Sequence, residues 1–185
     1  MFCVYHERRR TEADREAERR ADRRIAVRDR LRKLDVLEPD EDLPGAEAEP
    51  IPVRNALYVC DWEDIRMRLA QTIMGQPDLR KLSVTTDAEL RETFFPPGVT
   101  GGDSKALREF VRRYPLLICR IGRYPGGNVA VTSCVETMIE ERPNARFVTI
   151  LISESHHPWD QKHKVFSPTI AKLLTNRKYT VGALT

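Results

Sequence analysis

Leu116-Leu-Ile-Cys-Arg-Ile121, the helix-forming stretch Val129 to Glu141, and Phe147-Val-Thr-Ile-Leu-Ile152 decide the fold. The two outer runs are short, nearly continuous in apolar residues and rich in branched side chains. The segment between them has the length and pattern of a helix. A strand buried on both faces, a helix, and a second such strand form the repeating unit of a parallel sheet. Working outward, Ala56-Leu-Tyr-Val-Cys60 reads as a first strand. Asp61 and Asp64 are placed to cap a helix from Trp62 through Ile65, Leu69 and Ile73, which Gly75 and Pro77 end. Thr86-Asp-Ala-Glu89 is a capping box that opens a short helix to Phe95, and a Pro- and Gly-rich loop over 96–102 leads to another helix over 104–113. Ser167 and Pro168 suit the N-cap and first position of a helix running to about Thr175, and Lys178-Tyr-Thr-Val-Gly182 reads as a last strand. The expected fold class is α/β, a mostly parallel sheet of about four strands with flanking helices over residues 55–185.

A chain of 185 residues and 21.3 kDa supplies one hydrophobic core and an appendage. Mean hydropathy is −0.49, and the apolar runs fall far short of a membrane span, so a membrane protein is not expected. The amino terminus carries charge where a secretory signal needs an apolar stretch. Cysteines at 3, 60, 119 and 134 show no paired spacing, which suits a reducing cytoplasm. Cys60, Cys119 and Cys134 fall in expected strands or on a helix, as buried small apolar residues do.

Before residue 55 the composition changes. Glu7 to Lys33 holds twelve basic against seven acidic residues, and Asp35 to Glu49 holds seven acidic and no basic ones. Residues 7–34 lack Gly and Pro and are rich in Arg, Glu and Ala, which predicts a long charged helix over 1–36. Its apolar stripe, Ala13, Ala17, Ala21 and Ile25 with Leu31 and Leu34 out of step, is too thin to bury along its length. The helix is expected to face solvent or to dock a partner, with Arg15, Arg19, Arg20, Arg23 and Arg24 as the candidate contacts to nucleic acid or protein. The acidic neighbour is expected to screen those arginines. Residues 37–54 read as an acidic, Pro-rich linker, so that removing residues 1–50 should leave the core folded.

In its order of elements the chain resembles the AAA+ core of bacterial and phage replicative-helicase loaders and of transposase-helper ATPases. The resemblance runs from about residue 55 to 185. It rests on a strand followed by Asp61-Trp-Glu-Asp64, on Arg113-Tyr-Pro-Leu-Leu-Ile-Cys-Arg-Ile-Gly122, and on a helix ending in Glu140-Glu-Arg142 before the strand into Ile152 and Ser153. These pieces look like the part of the family between its second strand and its sensor strand. That alignment implies a P-loop NTPase-like but incomplete sheet, whose central first strand is missing or supplied by another chain. It further implies a polar sensor at Ser153 and an arginine-finger position near Arg177. Where the family carries its acidic magnesium-binding pair, this sequence has Cys119 and Arg120, and a cation there repels magnesium.

Nothing before Asn55 matches the phosphate-binding pattern G-x-x-x-x-G-K-[ST]. The nearest stretch is Gly122-Arg-Tyr-Pro-Gly-Gly-Asn-Val129, which has Asn128 for the lysine and Val129 for the hydroxyl. Gly126, Gly127 and Asn128 are therefore the candidate nucleotide- or anion-binding residues. Gly98 to Lys105 is a poorer match. Candidate zinc ligands are Cys3 and His6, one pair where a structural site needs two, and His156, His157, Asp160 and His163 form a second incomplete cluster. No cofactor is expected, ATP, ADP or zinc being the alternatives. The sequence thus points to a non-catalytic interaction or accessory protein in a replication, transposition or phage-type nucleoprotein assembly. A protein partner or a second copy of the chain leads, and nucleic acid is also open. The alternative is a nucleotide- or anion-binding protein or enzyme using the loop from Gly122 to Val129.

Overall fold

The computed structural model describes residues 11–45, 47–76, 78–97, 102–121, 129–142, 147–154, 168–177 and 179–183. Helices α1 (Glu12–Lys33), α2 (Trp62–Met74), α3 (Asp87–Phe94), α4 (Ser104–Arg113), α5 (Val129–Glu141) and α6 (Pro168–Asn176) accompany strands β1 (Ala56–Val59), β2 (Leu82–Thr86), β3 (Leu116–Ile121), β4 (Val148–Ser153) and β5 (Thr180–Ala183). The strands form one sheet in the order β2-β3-β4-β1-β5, and every pairing is parallel. The α/β class and the parallel sheet agree with the sequence reading.

Two expectations are corrected. The sheet has five strands, because Leu82-Ser-Val-Thr-Thr86 pairs with β3 as an edge strand. Its alternation of Leu and Val with Ser and Thr is a half-polar pattern that the capping box at Thr86 obscured; Thr86 both ends β2 and caps α3. The first strand is not missing from the interior of the sheet either. β1 lies between β4 and β5, in register from Ala56 opposite Ile150 and Thr180 to Val59 opposite Ser153 and Ala183. Asn55 fixes it to both neighbours, since Thr149 donates its amide to the Asn55 side chain at 2.8 Å and Thr180 donates to the Asn55 carbonyl at 3.1 Å. Ala56–Val59 thus fills the place between β4 and β5, and the sheet needs no strand from another chain there.

Strand residues alternate between two apolar layers, as the pleat requires. Leu57, Leu117, Cys119, Ile121 and Leu151 pack with α3, α4, α5 and α6, while Ile118, Ile150 and Ile152 pack with α1 and α2. In α1 the amino-terminal half is exposed, Ile25 half so, but Val27 and Leu31, one turn apart, are buried against α2. The helix ends in a Schellman motif: Asp35 adopts φ +51°, its amide donates to the Arg32 carbonyl, and the Val36 amide donates to the Leu31 carbonyl at 2.9 Å. Val36 and Leu31, the apolar pair of that motif, are both buried.

The stretch read as a linker is held to the core as well. Val36, Leu37 and Ile51 lie in the same apolar cluster as Ile65, Leu69 and Ile73. Ile51 exchanges hydrogen bonds with the Thr72 hydroxyl at 2.8 and 3.1 Å. Glu41 pairs with Arg66, and Glu49 approaches Arg68 at 3.7 Å. Apolar contacts therefore cross position 54.

Arg142, just beyond α5, is 1% exposed. Its guanidinium donates to the Thr149 hydroxyl at 2.7 Å and to the carbonyls of Tyr114 at 2.6 Å, Pro115 at 3.1 Å, Val148 at 2.6 Å and Val111. These bonds tie the end of α4 to the amino-terminal ends of β3 and β4. Burial draws the guanidinium down to about 10, still protonated at neutral pH.

Candidate functional site

Parallel α/β sheets bind ligands beyond the carboxyl ends of their strands, where the strand order reverses. Here that place is the end of β1, flanked by β4 and followed by α2. Only Cys60 and Asp61 connect Val59 to Trp62. A phosphate-binding loop needs a glycine-rich connection of several residues whose amides wrap the phosphates, and two residues cannot form one. The charge at this helix start is also wrong for an anion: Asp61 holds the N-cap position, and Glu63 and Asp64 occupy the first turn. Asp61 makes no cap hydrogen bond with its side chain. The Cys60 thiol reports this surrounding, pushed up to about 11 by burial first and then by the charges of Asp64, Asp61 and Glu154.

The crevice is bridged by three side chains from three elements. Trp62, in the first turn of α2, is buried. Arg120, at the carboxyl end of β3, lays its guanidinium over the Trp62 ring, 4.1 Å from the centroid. The same guanidinium donates to Glu154 Oε1 through Nη2 at 2.7 Å and Nε at 3.1 Å. A cation–π contact and a charge-assisted fork therefore clasp the ends of β3 and β4 to α2. Ser153 is buried at the end of β4, where its carbonyl accepts the Cys60 amide at 3.1 Å. The β3 end thus carries a cation, Arg120, paired with Glu154.

The other sequence candidates are not gathered here. Arg177 is exposed at the end of α6, which leads into the amino-terminal end of β5, so it sits at the opposite edge of the sheet from Arg120. Arg15, Arg19, Arg20, Arg23 and Arg24 line the exposed half of α1. Arg20 pairs with Glu16 at 2.5 Å, and Arg23 donates to the Gln76 carbonyl at 3.0 Å. Gly126, Gly127 and Asn128, Cys3 and His6, and His156, His157, Asp160 and His163 lie outside the described residues. Among the described residues no group of three or more His, Cys, Asp or Glu side chains is placed to hold a metal ion. No helix among them is long and apolar enough to cross a membrane. Sequence reasoning singled out Arg120 as a mismatch but missed its partners, Trp62 being read there only as a helix residue and Glu154 not being singled out. The three are far apart in sequence, and only the sheet order brings them together.

No family model matches the sequence, and no curated protein matches it. Among solved structures the chain is similar to domain III of the replication initiation protein DnaA from Thermotoga maritima, with a TM-score of 0.52 at 14% identity over 87% of this chain. It is also similar to AMPPCP-bound DnaA from Aquifex aeolicus, with a TM-score of 0.50 at 12% identity, again over 87% of this chain. It spans 61% and 46% of those two chains. At such identities the likeness establishes the fold alone, an α/β fold shared with domain III of that initiator.

Proposed function

We propose that this chain is a non-catalytic accessory protein of a DNA replication, transposition or phage-type nucleoprotein assembly, its AAA+-like core serving as a docking platform. The observation that carries the reading is the two-residue joint between β1 and α2. It puts Asp61, Glu63 and Asp64 where an ATPase of this fold presents phosphate-binding amides, and the clasp of Trp62, Arg120 and Glu154 spans the adjoining crevice. Phosphoryl transfer needs a lysine, a metal-binding hydroxyl and carboxylates in that crevice. The assignment to replication is supported by the DnaA neighbours, one a replication initiation protein by description. In this reading the partner is a protein of the assembly or a second copy of the chain.

The test is nucleotide binding and turnover on the purified chain. With fluorescent ATP and ADP analogues in magnesium buffer, the expected outcome is neither saturable binding nor phosphate release above a buffer control. Binding or turnover abolished by Asn128→Ala would move the function to the loop from Gly122 to Val129 and overturn the platform reading.

A further inference from the structure

The amino-terminal edge of the sheet, opposite the clasp, carries a basic groove of about 580 Å³. One wall is a face of α1 formed by Ala26, Asp29, Arg30 and Lys33, spaced as one helical face. The other is Arg80, in the turn before β2, with Arg113, the last residue of α4, and Tyr114 just after it. Arg30 braces the wall by donating to the Leu82 carbonyl at 3.2 Å, and Arg113 lies 5.7 Å from the Tyr114 ring centroid. Four cations thus face one acid. None of Arg30, Lys33, Arg80 and Arg113 forms an ion pair with a described residue, whereas Arg66, Arg68, Lys81, Arg108 and Arg112 nearby in the fold are paired.

Among the described residues, no acid of the stretch after α1 lines this groove. Glu41 and Glu49 are engaged with Arg66 and Arg68 on α2, and Glu141 with Arg108 and Arg112. Such a groove suits a polyanion. A protein partner's binding energy usually centres on an apolar anchor in a pocket, and among the described residues the apolar side chains lining this groove are Ala26 and Tyr114. Cations on two facing walls, with an aromatic in one of them, match the way single strands are held, by a basic channel that follows the backbone and a ring beside the bases.

We infer that this groove binds the phosphate backbone of a single-stranded nucleic acid, through Arg30, Lys33, Arg80 and Arg113. The inference is independent of the nucleotide question, since the clasp lies at the other edge of the sheet. Fluorescence anisotropy of the full chain with a labelled oligothymidylate of about 16 nucleotides, titrated across sodium chloride concentrations, tests it. Log K should fall with log salt by about 0.7 per phosphate contact, close to −3 for four contacts. Lys33→Ala/Arg80→Ala/Arg113→Ala should make that slope shallower by about 2 and weaken binding, with an unchanged circular dichroism spectrum. Arg15→Ala/Arg19→Ala/Arg24→Ala, on the exposed half of α1, should leave slope and affinity unchanged. The inference is overturned by absence of binding at about 50 mM salt, by loss of binding in the second variant but not the first, or by tighter binding of a duplex of the same length. Competition by polyglutamate as effective as by unlabelled oligothymidylate would also overturn it, revealing a general acid-binding face. Should the triple variant fail to fold, the three single variants, each expected to reduce the slope by about 0.7, carry the same test.

Discussion

Replacing Arg142 by Met removes five donated hydrogen bonds from a side chain that is 1% exposed. Not every acceptor suffers equally. Pro115 is exposed and Tyr114 half-buried, so water can take over at their carbonyls, but Val111 and Thr149 are fully buried, and Val148 is half-buried. Two to three acceptors are left without a partner at about 1–3 kcal/mol each, against which Met returns some apolar contact with Phe147, whose ring lies 5.2 Å from the guanidinium. The expected cost is about 3–5 kcal/mol, a large part of the stability of a domain this size and on the order of 10 °C in Tm. Arg142→Lys keeps the charge but offers three donors from one point, so it should fall between wild type and Arg142→Met. Urea unfolding followed by circular dichroism, with the denaturant slope checked for constancy, measures both variants. A loss below about 1 kcal/mol in Arg142→Met would refute the reasoning, because it would mean that the carbonyls find water as readily as they find the guanidinium.

Three further outcomes follow from the same packing. A fragment starting at Asn55 removes Val27, Leu31, Val36, Leu37 and Ile51 from the core. At about 1.5–3 kcal/mol for each buried side chain it should lose its cooperative melt by differential scanning calorimetry, reversing what the polar composition of residues 1–50 suggests. The Arg66 bond holds the Glu41 carboxyl below its ordinary 4.5, and a depressed carboxylate contributes stability above the unfolded pKa that is lost as pH falls through the folded one. The gap in urea stability between wild type and Glu41→Gln should therefore be widest near neutral pH and close progressively below about pH 4.5; a gap independent of pH would contradict it. Asp35→Gly places at φ +51° the residue that tolerates this conformation best, and should raise Tm by a few degrees; a fall would show that the Asp35 side chain makes up for its strained backbone.

The sequence by itself determined the class of fold, because the continuous apolar runs at 116–121 and 147–152 admit only strands buried on both faces, and such strands need helices on either side. It also placed a cation, Arg120, at the end of a strand where the resemblance implies acids. It did not reveal β2, whose half-polar alternation suits an edge strand and carries little signal. Nor did it reveal that Ala56–Val59 is an interior strand between β4 and β5, because strand order is a matter of long-range pairing that local pattern does not encode. The tertiary structure alone decided the rest. Val27 and Leu31 look out of step on a stripe counted from Ala13, yet α2 covers that part of the helix only, so two residues suffice to seat it. Arg120 reads as a misfit in the sequence, and the crossing of the chain between β3, β4 and α2 supplies it with the Trp62 ring and the Glu154 carboxylate. The basic groove likewise draws on α1, the turn before β2 and the end of α4, and its charge emerges only once folding has committed the neighbouring acids to other arginines.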